Sequence, residues 1–219
     1  QRRIATEKAR DKHDFVIVQE KLDGSNVGVA RANGTILALT RAGYLANTSP
    51  YEQHWKFGEW VAVNQPRFLA VLRDGERLCG EWLAQAHGTR YDLHHEPFVV
   101  FDLMTGRERA TLNELTDRLA IARVELVQPR LIHQGQPFSI EAALKAIETS
   151  GHGAIDPVEG AVWRVERNVS TSPSQGSARK WRVDFLAKYV RPEKQDGIYL
   201  PENNNGESIW NWQSVGNLP

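Results

Sequence analysis

The order of apolar and polar residues predicts more strands than helices. Residues 14–20 are mostly apolar and predict a buried strand. Residues 25–31 alternate between apolar and small or polar side chains. Asn33-Gly34 is a two-residue turn signal that connects them to a returning strand over residues 35–41. The first part of the chain is therefore expected to contain one buried strand followed by a hairpin.

The helical signals are fewer and lie between strand candidates. Residues 51–63 predict a helix that Pro66 interrupts. Thr111-Leu112-Asn113-Glu114 is a capping-box pattern that starts a helix running to about Arg123. Residues 139–150 predict another helix, with Gly151 as its stop. Four further strands are expected at residues 77–83, 97–104, 158–165 and 182–190, with a polar loop at residues 168–178. Because strands and helices do not alternate regularly, the pattern favours an α+β fold with antiparallel sheets.

Composition sets limits on size and cellular setting. The chain has 219 residues, of which 41% are hydrophobic and 25% charged, enough for one large domain with its own core. A single cysteine, Cys79, excludes an internal disulfide and fits a reducing compartment, so a cytoplasmic location is expected. No run of about 18 apolar residues occurs, so no membrane partner is expected.

Charge is balanced over the whole chain but uneven along it. The formal net charge is zero, which argues against a general nucleic-acid binder. From Arg164 to Lys194, however, eight Lys and Arg residues stand against three acidic residues. This basic strip either contacts phosphates or forms an ordinary solvated face, which is the more common outcome.

A lysine lies at the end of the first strand, in the segment Glu20-Lys21-Leu22-Asp23-Gly24-Ser25-Asn26. A lysine amine is nucleophilic only after it loses its proton, which desolvation or nearby cations favour. A lysine at the mouth of an apolar strand is placed for such chemistry. The Lys-x-Asp-Gly pattern is short, however, and by itself it favours an exposed turn.

Five more short motifs follow in order and make the signal specific. They are Thr40-Arg41-Ala42-Gly43-Tyr44, Gly80-Glu81-Trp82-Leu83, Phe101-Asp102-Leu103, Glu159-Gly160-Ala161-Val162-Trp163-Arg164 and Phe185-Leu186-Ala187-Lys188-Tyr189-Val190. This ordered series resembles the covalent nucleotidyltransferases, which comprise DNA ligases, RNA ligases and mRNA capping enzymes. Glu20 and Asn26 around Lys21, and the stretch 183–192, are similar to the RNA ligase 2-like branch and its bacterial relatives.

The resemblance implies a fold and a domain organisation. It implies an ATP-dependent RNA ligase whose nucleotidyltransferase domain has two antiparallel sheets, flanking helices and an ATP cleft between the sheets. Residues 1–200 would form this domain and residues 201–219 a C-terminal tail, part of which is expected to dock through Trp210 and Trp212. DNA ligases and capping enzymes carry an oligonucleotide-binding barrel after the last motif. About 30 residues follow Lys188, too few for such a barrel.

The resemblance also implies a role for each motif residue. Lys21 would attack the α-phosphate of ATP and hold AMP, and Lys188 would neutralise that phosphate and favour loss of pyrophosphate. The other expected nucleotide contacts are Glu20, Arg41 to phosphate or sugar, Glu81 to the ribose hydroxyls, Phe101 (or Phe98) to adenine, and Glu159, which would also bind Mg²⁺ or Mn²⁺. Asn26 and Asp23 would act in later steps on RNA. The implied partners are ATP and RNA ends or a nicked RNA duplex, with the protein acting as a monomer.

The last motif departs from the pattern of this branch. Two lysines separated by one residue are usual there, but the earlier position in this chain is Leu186. Two alternatives are open: Lys180 or Arg182 supplies the second charge, or that charge is absent. For His87, in the loop after the Glu81 motif, two interpretations are open, a contact with substrate or a surface position, and the surface position is favoured.

Three hypotheses about function remain. An RNA ligase is favoured over a DNA ligase adenylation domain or a guanylyltransferase that loads GMP. From a different class, a catalytically silent RNA-binding module would retain the same fold. The presence of Lys21, Glu81 and Glu159 together argues against the silent module, because such a module has no use for all three.

Overall fold

The computed structural model describes residues 1–170 and 179–212. In chain order the elements are α1 (Arg2–Thr6), β1 (Asp14–Lys21), β2 (Ser25–Ala32), β3 (Thr35–Thr40), α2 (Glu52–Val63), α3 (Gln65–Val71), β4 (Glu76–Trp82), β5 (Phe98–Thr105), β6 (Glu108–Arg109), α4 (Leu112–Ala122), β7 (Leu131–Gly135), α5 (Ile140–Ala146), β8 (Gly160–Ser170) and β9 (Arg179–Val190). No helix in these residues has both the length and the apolar character needed to cross a membrane.

The strands form two antiparallel sheets. The four-stranded sheet has the order β7-β1-β8-β9, and the five-stranded sheet has the order β3-β2-β4-β5-β6. Only residues 22–24 separate β1 from β2, so the chain passes from one sheet to the other directly after Lys21. The expected α+β fold with two antiparallel sheets and flanking helices is confirmed.

Each sheet has an apolar core on its outer face. On the five-stranded sheet, helices α2, α3 and α4 pack over an aromatic cluster in which the Phe57 and Trp82 rings lie 5.2 Å apart. On the four-stranded sheet, α1 and α5 pack over Trp163, Val165 and their neighbours. Because strand residues alternate between faces, the remaining side chains point into the space between the sheets. That space is where polar residues are available for chemistry.

Several local predictions are confirmed in detail. Asn33 and Gly34 form the hairpin turn with φ of 49° and 75°, the left-handed conformation that such turns require. The Thr111 hydroxyl accepts a bond from the Glu114 backbone N–H at 3.2 Å, and the Glu114 carboxylate accepts one from the Thr111 backbone N–H at 2.7 Å. This capping box begins α4, which ends before Arg123, as the sequence predicted.

Other boundaries differ from the predictions. Pro66 lies at the start of a second helix, α3, because the first turn of a helix tolerates a proline. The helix predicted over residues 139–150 ends at Ala146, and Gly151 instead packs its Cα against the side chain of Arg130. The strands β6 and β7 and the helix α1 were missed because they are too short for a periodic signal. β8 extends to Ser170 within the predicted loop, and residues 171–178 lie outside the described residues.

Part of the C-terminal tail packs onto the five-stranded sheet. The Trp212 ring lies 6.2 Å from the Trp82 ring, edge to face. The backbone N–H of Ala86 donates to the carbonyl of Ile209 at 2.8 Å. The prediction that part of the tail docks is confirmed up to residue 212, and residues 213–219 lie outside the described residues.

Gly160, the first residue of β8, leaves no room for a side chain beside Tyr189 of β9, and it supplies the first stability test. A Cβ atom there would lie 1.9 Å from the carbonyl oxygen of Tyr189, so we expect Gly160→Ala to lower the free energy of unfolding by roughly 1–3 kcal/mol. Gly58, inside α2, has only the Ala46 Cβ nearby at 3.9 Å. Gly58→Ala should therefore raise stability by about 0.5–1 kcal/mol, because alanine favours the helix. Urea unfolding of both variants checks the contrast, and equal effects would contradict it.

Candidate active site

A cleft of about 1130 Å³ lies between the inner faces of the two sheets. All nine residues that the motifs nominated line it: Glu20, Lys21, Asp23, Asn26, Arg41, Glu81, Phe101, Glu159 and Lys188. These residues come from β1, β2, β4, β5, β9 and the loops beside them, and the fold alone brings them together. The nine residues therefore share one cleft, and the role of each in binding or catalysis stays a prediction.

Lys21 lies at the centre of the cleft. It is the last residue of β1 and pairs in register with Gly160, the first residue of β8, so Glu159 lies directly beside it. The Lys21 Nζ contacts the Glu159 carboxylate and donates to the carbonyl of Leu22 at 3.3 Å. The Lys21 side chain is 18% exposed, so the amine is sheltered from bulk water but open to the cleft.

Two carboxylates beside Lys21 hold their protons more tightly than usual. Burial raises the pKa of Glu81 to about 7; the neighbouring charges of Glu159 and Asp23 add to this rise, and Lys21 opposes it. Glu81 also accepts a hydrogen bond from the Gly24 backbone at 3.2 Å. Burial likewise raises the pKa of Glu159, again against the effect of Lys21. The cleft therefore contains one carboxyl group, that of Glu81, which can exchange protons near neutral pH, and a second whose pKa is raised.

Asp23 is engaged with the loop that follows β4. Its buried carboxylate accepts bonds from the Thr89 hydroxyl at 2.8 Å and from the Gly88 backbone at 3.2 Å. The Nζ of Lys194 lies 3.8 Å away. Asp23 thus holds the loop and the segment after β9 against the turn that carries Lys21. Its expected part in the RNA steps stays a prediction.

The Glu20 carboxylate contacts a turn of the protein. It is 2% exposed and accepts bonds from the Ser150 hydroxyl at 2.6 Å and from the Gly151 backbone at 2.8 Å. These bonds fix the turn after α5 against β1. A nucleotide contact by this residue stays a prediction, since its carboxylate already has these two donors.

A β-bulge brings Phe101 into the cleft. In the pairing of β4 with β5, Cys79 pairs with Asp102 and Gly80 with Val100, so Phe101 is an extra residue. The bulge puts two consecutive side chains, Phe101 and Asp102, on the inner face, where both line the cleft. The alternative ring considered for adenine, Phe98, is buried in the aromatic core of the five-stranded sheet.

A second bulge decides which residues of β9 face the cleft. Leu186 and Lys188 both line it, two residues apart. Val165 pairs with Phe185 but Glu166 pairs with Val183, so Asp184 is the extra residue. This extra residue shifts the alternation of side chains between the two faces of β9. Arg182 and Lys180 therefore lie on the same face as Phe185, away from the cleft. The suggestion that one of them supplies the missing charge of the last motif is therefore wrong.

The basic strip between residues 164 and 194 does not form one surface. Arg164 and Lys188 face the cleft, whereas Arg167 pairs with Asp14, with Nη1 and Oδ1 2.5 Å apart. Arg191 donates through Nε to the Val158 carbonyl at 3.1 Å, and Lys194 donates to the Gly88 carbonyl at 2.6 Å. The strip is divided between different structural contacts because its residues alternate between faces.

His87 lies in the wall of the cleft, so its assignment to the surface was wrong. Its Nε2 is 3.0 Å from the Gln53 Oε1, which also accepts a bond from the Ser25 hydroxyl at 2.9 Å. His54 lies beside them, with Nδ1 2.6 Å from the Ser49 hydroxyl. Burial lowers the pKa of both histidines. This polar wall joins α2 to the loop after β4, a contact between distant segments that spacing does not reveal.

Three further cleft residues were missed as a group. Asp102 binds the guanidinium groups of Arg109 and Arg164, and all three line the cleft. Asp102 and Arg164 belong to quoted motifs, but their pairing across the two sheets has no sequence signature. Arg109 lies in the two-residue strand β6, outside every motif.

Comparison with known proteins agrees with the geometry. The family model described as RNA ligase matches residues 14–190. No curated protein matches significantly. A variant of Naegleria gruberi RNA ligase with ATP and Mn has 15% identity and a TM-score of 0.53, and the match covers 83% of this chain and 51% of that one. The same ligase with pyrophosphate has 18% identity and a TM-score of 0.52, with coverage of 89% and 53%. The likeness is one of fold, and this chain spans about half the length of those structures.

The raised pKa of Glu81 gives the site a stability test. The pKa of Glu81 is about 7 in the folded state and 4.5 as its ordinary value. Its contribution to stability is therefore fully present below pH 4.5 and is lost as the pH rises from 4.5 through 7. We expect Glu81→Gln to raise the free energy of unfolding at pH 8 relative to the natural protein, by on the order of 1–3 kcal/mol. The gain should shrink towards pH 4.5. Urea unfolding at both pH values checks this, with Glu108→Gln on exposed β6 as the control; a pH-independent effect of Glu81→Gln would contradict it.

Proposed function

Because this chain belongs to the RNA ligase family, as the match over residues 14–190 shows, we propose that it joins RNA ends with ATP through a covalent AMP on Lys21. The contact between the Lys21 amine and the Glu159 carboxylate inside the cleft carries this proposal. The contact places a nucleophile beside a proton acceptor in a sheltered site. Glu81, Phe101 and Lys188 line the same cleft and support it.

In the first step the Lys21 amine gives up a proton and attacks the α-phosphorus of ATP. An N–P bond forms, the bond between that phosphorus and the bridging oxygen breaks, and pyrophosphate leaves. Glu159 is in contact with the amine and its pKa is raised, which suits it to accept the proton. Lys188, on the cleft face of β9, would stabilise the negative charge of the transition state.

The other cleft residues suit a nucleoside. Phe101, placed by its bulge, offers a ring on which adenine can stack. Glu81, on β4, accepts a hydrogen bond from the backbone of Gly24 in the turn after Lys21. It would also accept hydrogen bonds from the ribose hydroxyls. Arg41 is exposed at the end of β3 and would contact phosphate or sugar. Glu20 would contribute to nucleotide binding indirectly, because its bonds to Ser150 and Gly151 hold β1, the strand that ends at Lys21.

A divalent cation, Mg²⁺ or Mn²⁺, is part of the proposal. The described residues contain no cluster of three or more His, Cys, Asp or Glu that could hold a metal by themselves. Mg²⁺ typically takes one or two protein carboxylates and completes its shell with water and substrate phosphates. Glu159, whose charge raises the pKa of the nearby Glu81, fits this mode. The ion would neutralise phosphate charge when bound.

Two later steps would complete the reaction. An oxygen of an RNA 5′-phosphate attacks the phosphorus of the lysyl-AMP, the N–P bond breaks, and Lys21 recovers its amine. An RNA 3′-hydroxyl then attacks the activated 5′-phosphate and AMP leaves. Asn26 lines the cleft opposite Glu81 in register and is proposed to act here, with Asp23 holding the adjoining loop. RNA ends or a nicked RNA duplex as substrate, a monomeric state and a cytoplasmic location are parts of this proposal.

The nucleophile is tested by labelling with α-labelled ATP and Mg²⁺ or Mn²⁺, followed by a denaturing gel. We expect label that survives denaturation in the natural protein and in Lys12→Ala, which changes an exposed lysine before β1. Lys21→Ala should lose it completely, because no other residue supplies the N–P bond. Label at another residue would overturn the assignment of Lys21. Label from GTP would indicate a capping-type enzyme, and no label from any nucleotide would indicate a silent module.

The role of Glu159 is tested by titrating the metal. Glu159→Ala should slow formation of lysyl-AMP by on the order of 10²-fold, because the amine loses its proton acceptor. It should also raise the Mg²⁺ or Mn²⁺ concentration needed for half the maximal rate. Glu108→Ala, on the exposed edge of the same domain, is the matched control. A metal titration identical to that of the natural protein would remove Glu159 from the metal site.

A further inference from the structure

The turn that follows Lys21 is held by a buried tyrosine that belongs to none of the motifs. The backbone N–H of Asp23 donates to the hydroxyl of Tyr91 at 3.0 Å. Tyr91 is 3% exposed and packs in a small apolar cluster with Leu22 and Leu83. It is not among the residues that line the cleft, so any effect it has on the cleft passes through this turn.

The backbone and the side chain of Asp23 are both bound to the same loop. The Asp23 carboxylate accepts a bond from the Thr89 hydroxyl at 2.8 Å, while the Asp23 backbone N–H donates to Tyr91. The Tyr91 hydroxyl also interacts with the side chain of Thr89. All three residues are buried, and a buried backbone N–H that loses its acceptor destabilises its conformation. These contacts therefore fix one position of the turn relative to the loop.

The turn itself has little freedom to adjust. Only residues 22–24 join β1 to β2. A Cβ atom on Gly24 would lie 2.5 Å from the carbonyl oxygen of Trp82, so the turn runs close against β4. The Gly24 backbone N–H donates to the Glu81 carboxylate at 3.2 Å. The direction of the Lys21 side chain thus depends on bonds that the residues after it make.

The docked tail holds Tyr91 through its backbone. Asn211 Oδ1 accepts a bond from the Tyr91 backbone N–H at 2.9 Å, and Asn211 Nδ2 donates to the Leu83 carbonyl at 2.8 Å. The Asn211 backbone N–H donates to the Ala84 carbonyl, also at 2.8 Å. One side-chain amide of the tail therefore joins the end of β4 to the loop residue that binds the turn.

We propose that Tyr91, held by Asn211 of the tail, is a positioning residue that fixes the Lys21 turn for attack on the α-phosphorus. Neither residue touches the nucleotide, because the effect passes from the Tyr91 hydroxyl to the Asp23 N–H and from there to Lys21. In-line attack requires alignment of the amine with the phosphorus, so a displaced turn slows the reaction without weakening ATP binding. The inference rests on the proposed function in taking Lys21 as the nucleophile.

Single-turnover formation of lysyl-AMP at varied ATP concentration separates positioning from binding. Tyr91→Phe removes only the hydroxyl and should lower the maximal rate by about tenfold. The ATP concentration that gives half of this rate should change less than about twofold. Asn211→Ala should show the same pattern. The double variant should be no slower than the slower single variant, because both changes act through one contact.

Three matched variants serve as controls. Tyr199→Phe removes a hydroxyl that contacts Asp156 outside the cleft. Asn204→Ala removes an amide bond to the Glu207 carbonyl in an exposed turn of the tail. Ser139→Ala removes the side-chain cap of α5 and so tests the effect of lost stability alone. All three should keep the rate of the natural protein.

The natural rate in Tyr91→Phe would overturn the inference, and so would an equal loss of rate in Ser139→Ala. Weaker ATP binding in proportion to the lost rate would do the same. Hydrogen exchange keeps the inference separate from the proposed function, because Tyr91→Phe should speed exchange of the amides in residues 22–24 without any nucleotide. If the natural protein forms no lysyl-AMP, the ligase proposal fails, and unchanged exchange in this turn would independently overturn the hold by Tyr91.

Discussion

The buried ion pair between Arg164 and Asp102 is the interaction on which the cleft depends. It connects β8 of one sheet to β5 of the other, and the same guanidinium binds the backbone of Phe101. Each sheet has a complete apolar core on its outer face, so the inner faces are free to carry polar groups. Removing one partner of a buried pair leaves a charge without compensation, which typically costs 3–5 kcal/mol. The pair thus fixes the position of the two walls.

Two one-residue bulges determine which side chains those walls present. The bulge at Phe101 turns both Phe101 and Asp102 inward, which places a ring and an anchoring carboxylate side by side. The bulge at Asp184 turns Lys180 and Arg182 outward while Leu186 and Lys188 remain inside. In a regular strand Phe101 and Asp102 would lie on opposite faces, and Lys180 and Arg182 would share the face of Leu186 and Lys188, because side chains alternate with a period of two. The chemistry of the cleft is therefore set by local irregularities in otherwise regular sheets.

The electrostatics of the cleft divide it into two regions. Around Lys21 the groups are mostly acidic, and burial raises the pKa of Glu81 and Glu159. Farther along β8 and β9 the balance is positive, because Arg164 and Lys188 of these strands and Arg109 of β6 line the cleft. Exclusion of water strengthens the electrostatic interactions in both regions.

The sequence alone determined the class of fold and part of the lining of the cleft. Alternation, the Asn33-Gly34 turn and the capping box at Thr111 are local signals, and the order of motifs nominated nine residues that all line one cleft. Tertiary structure decided the rest: the bulges that select faces, the pairing of Arg109 with Asp102, the contact of His87 with Gln53, and the use of the Glu20 carboxylate by a distant turn. These features depend on strand register and on contacts between segments far apart in the chain, and a local pattern carries no information about either.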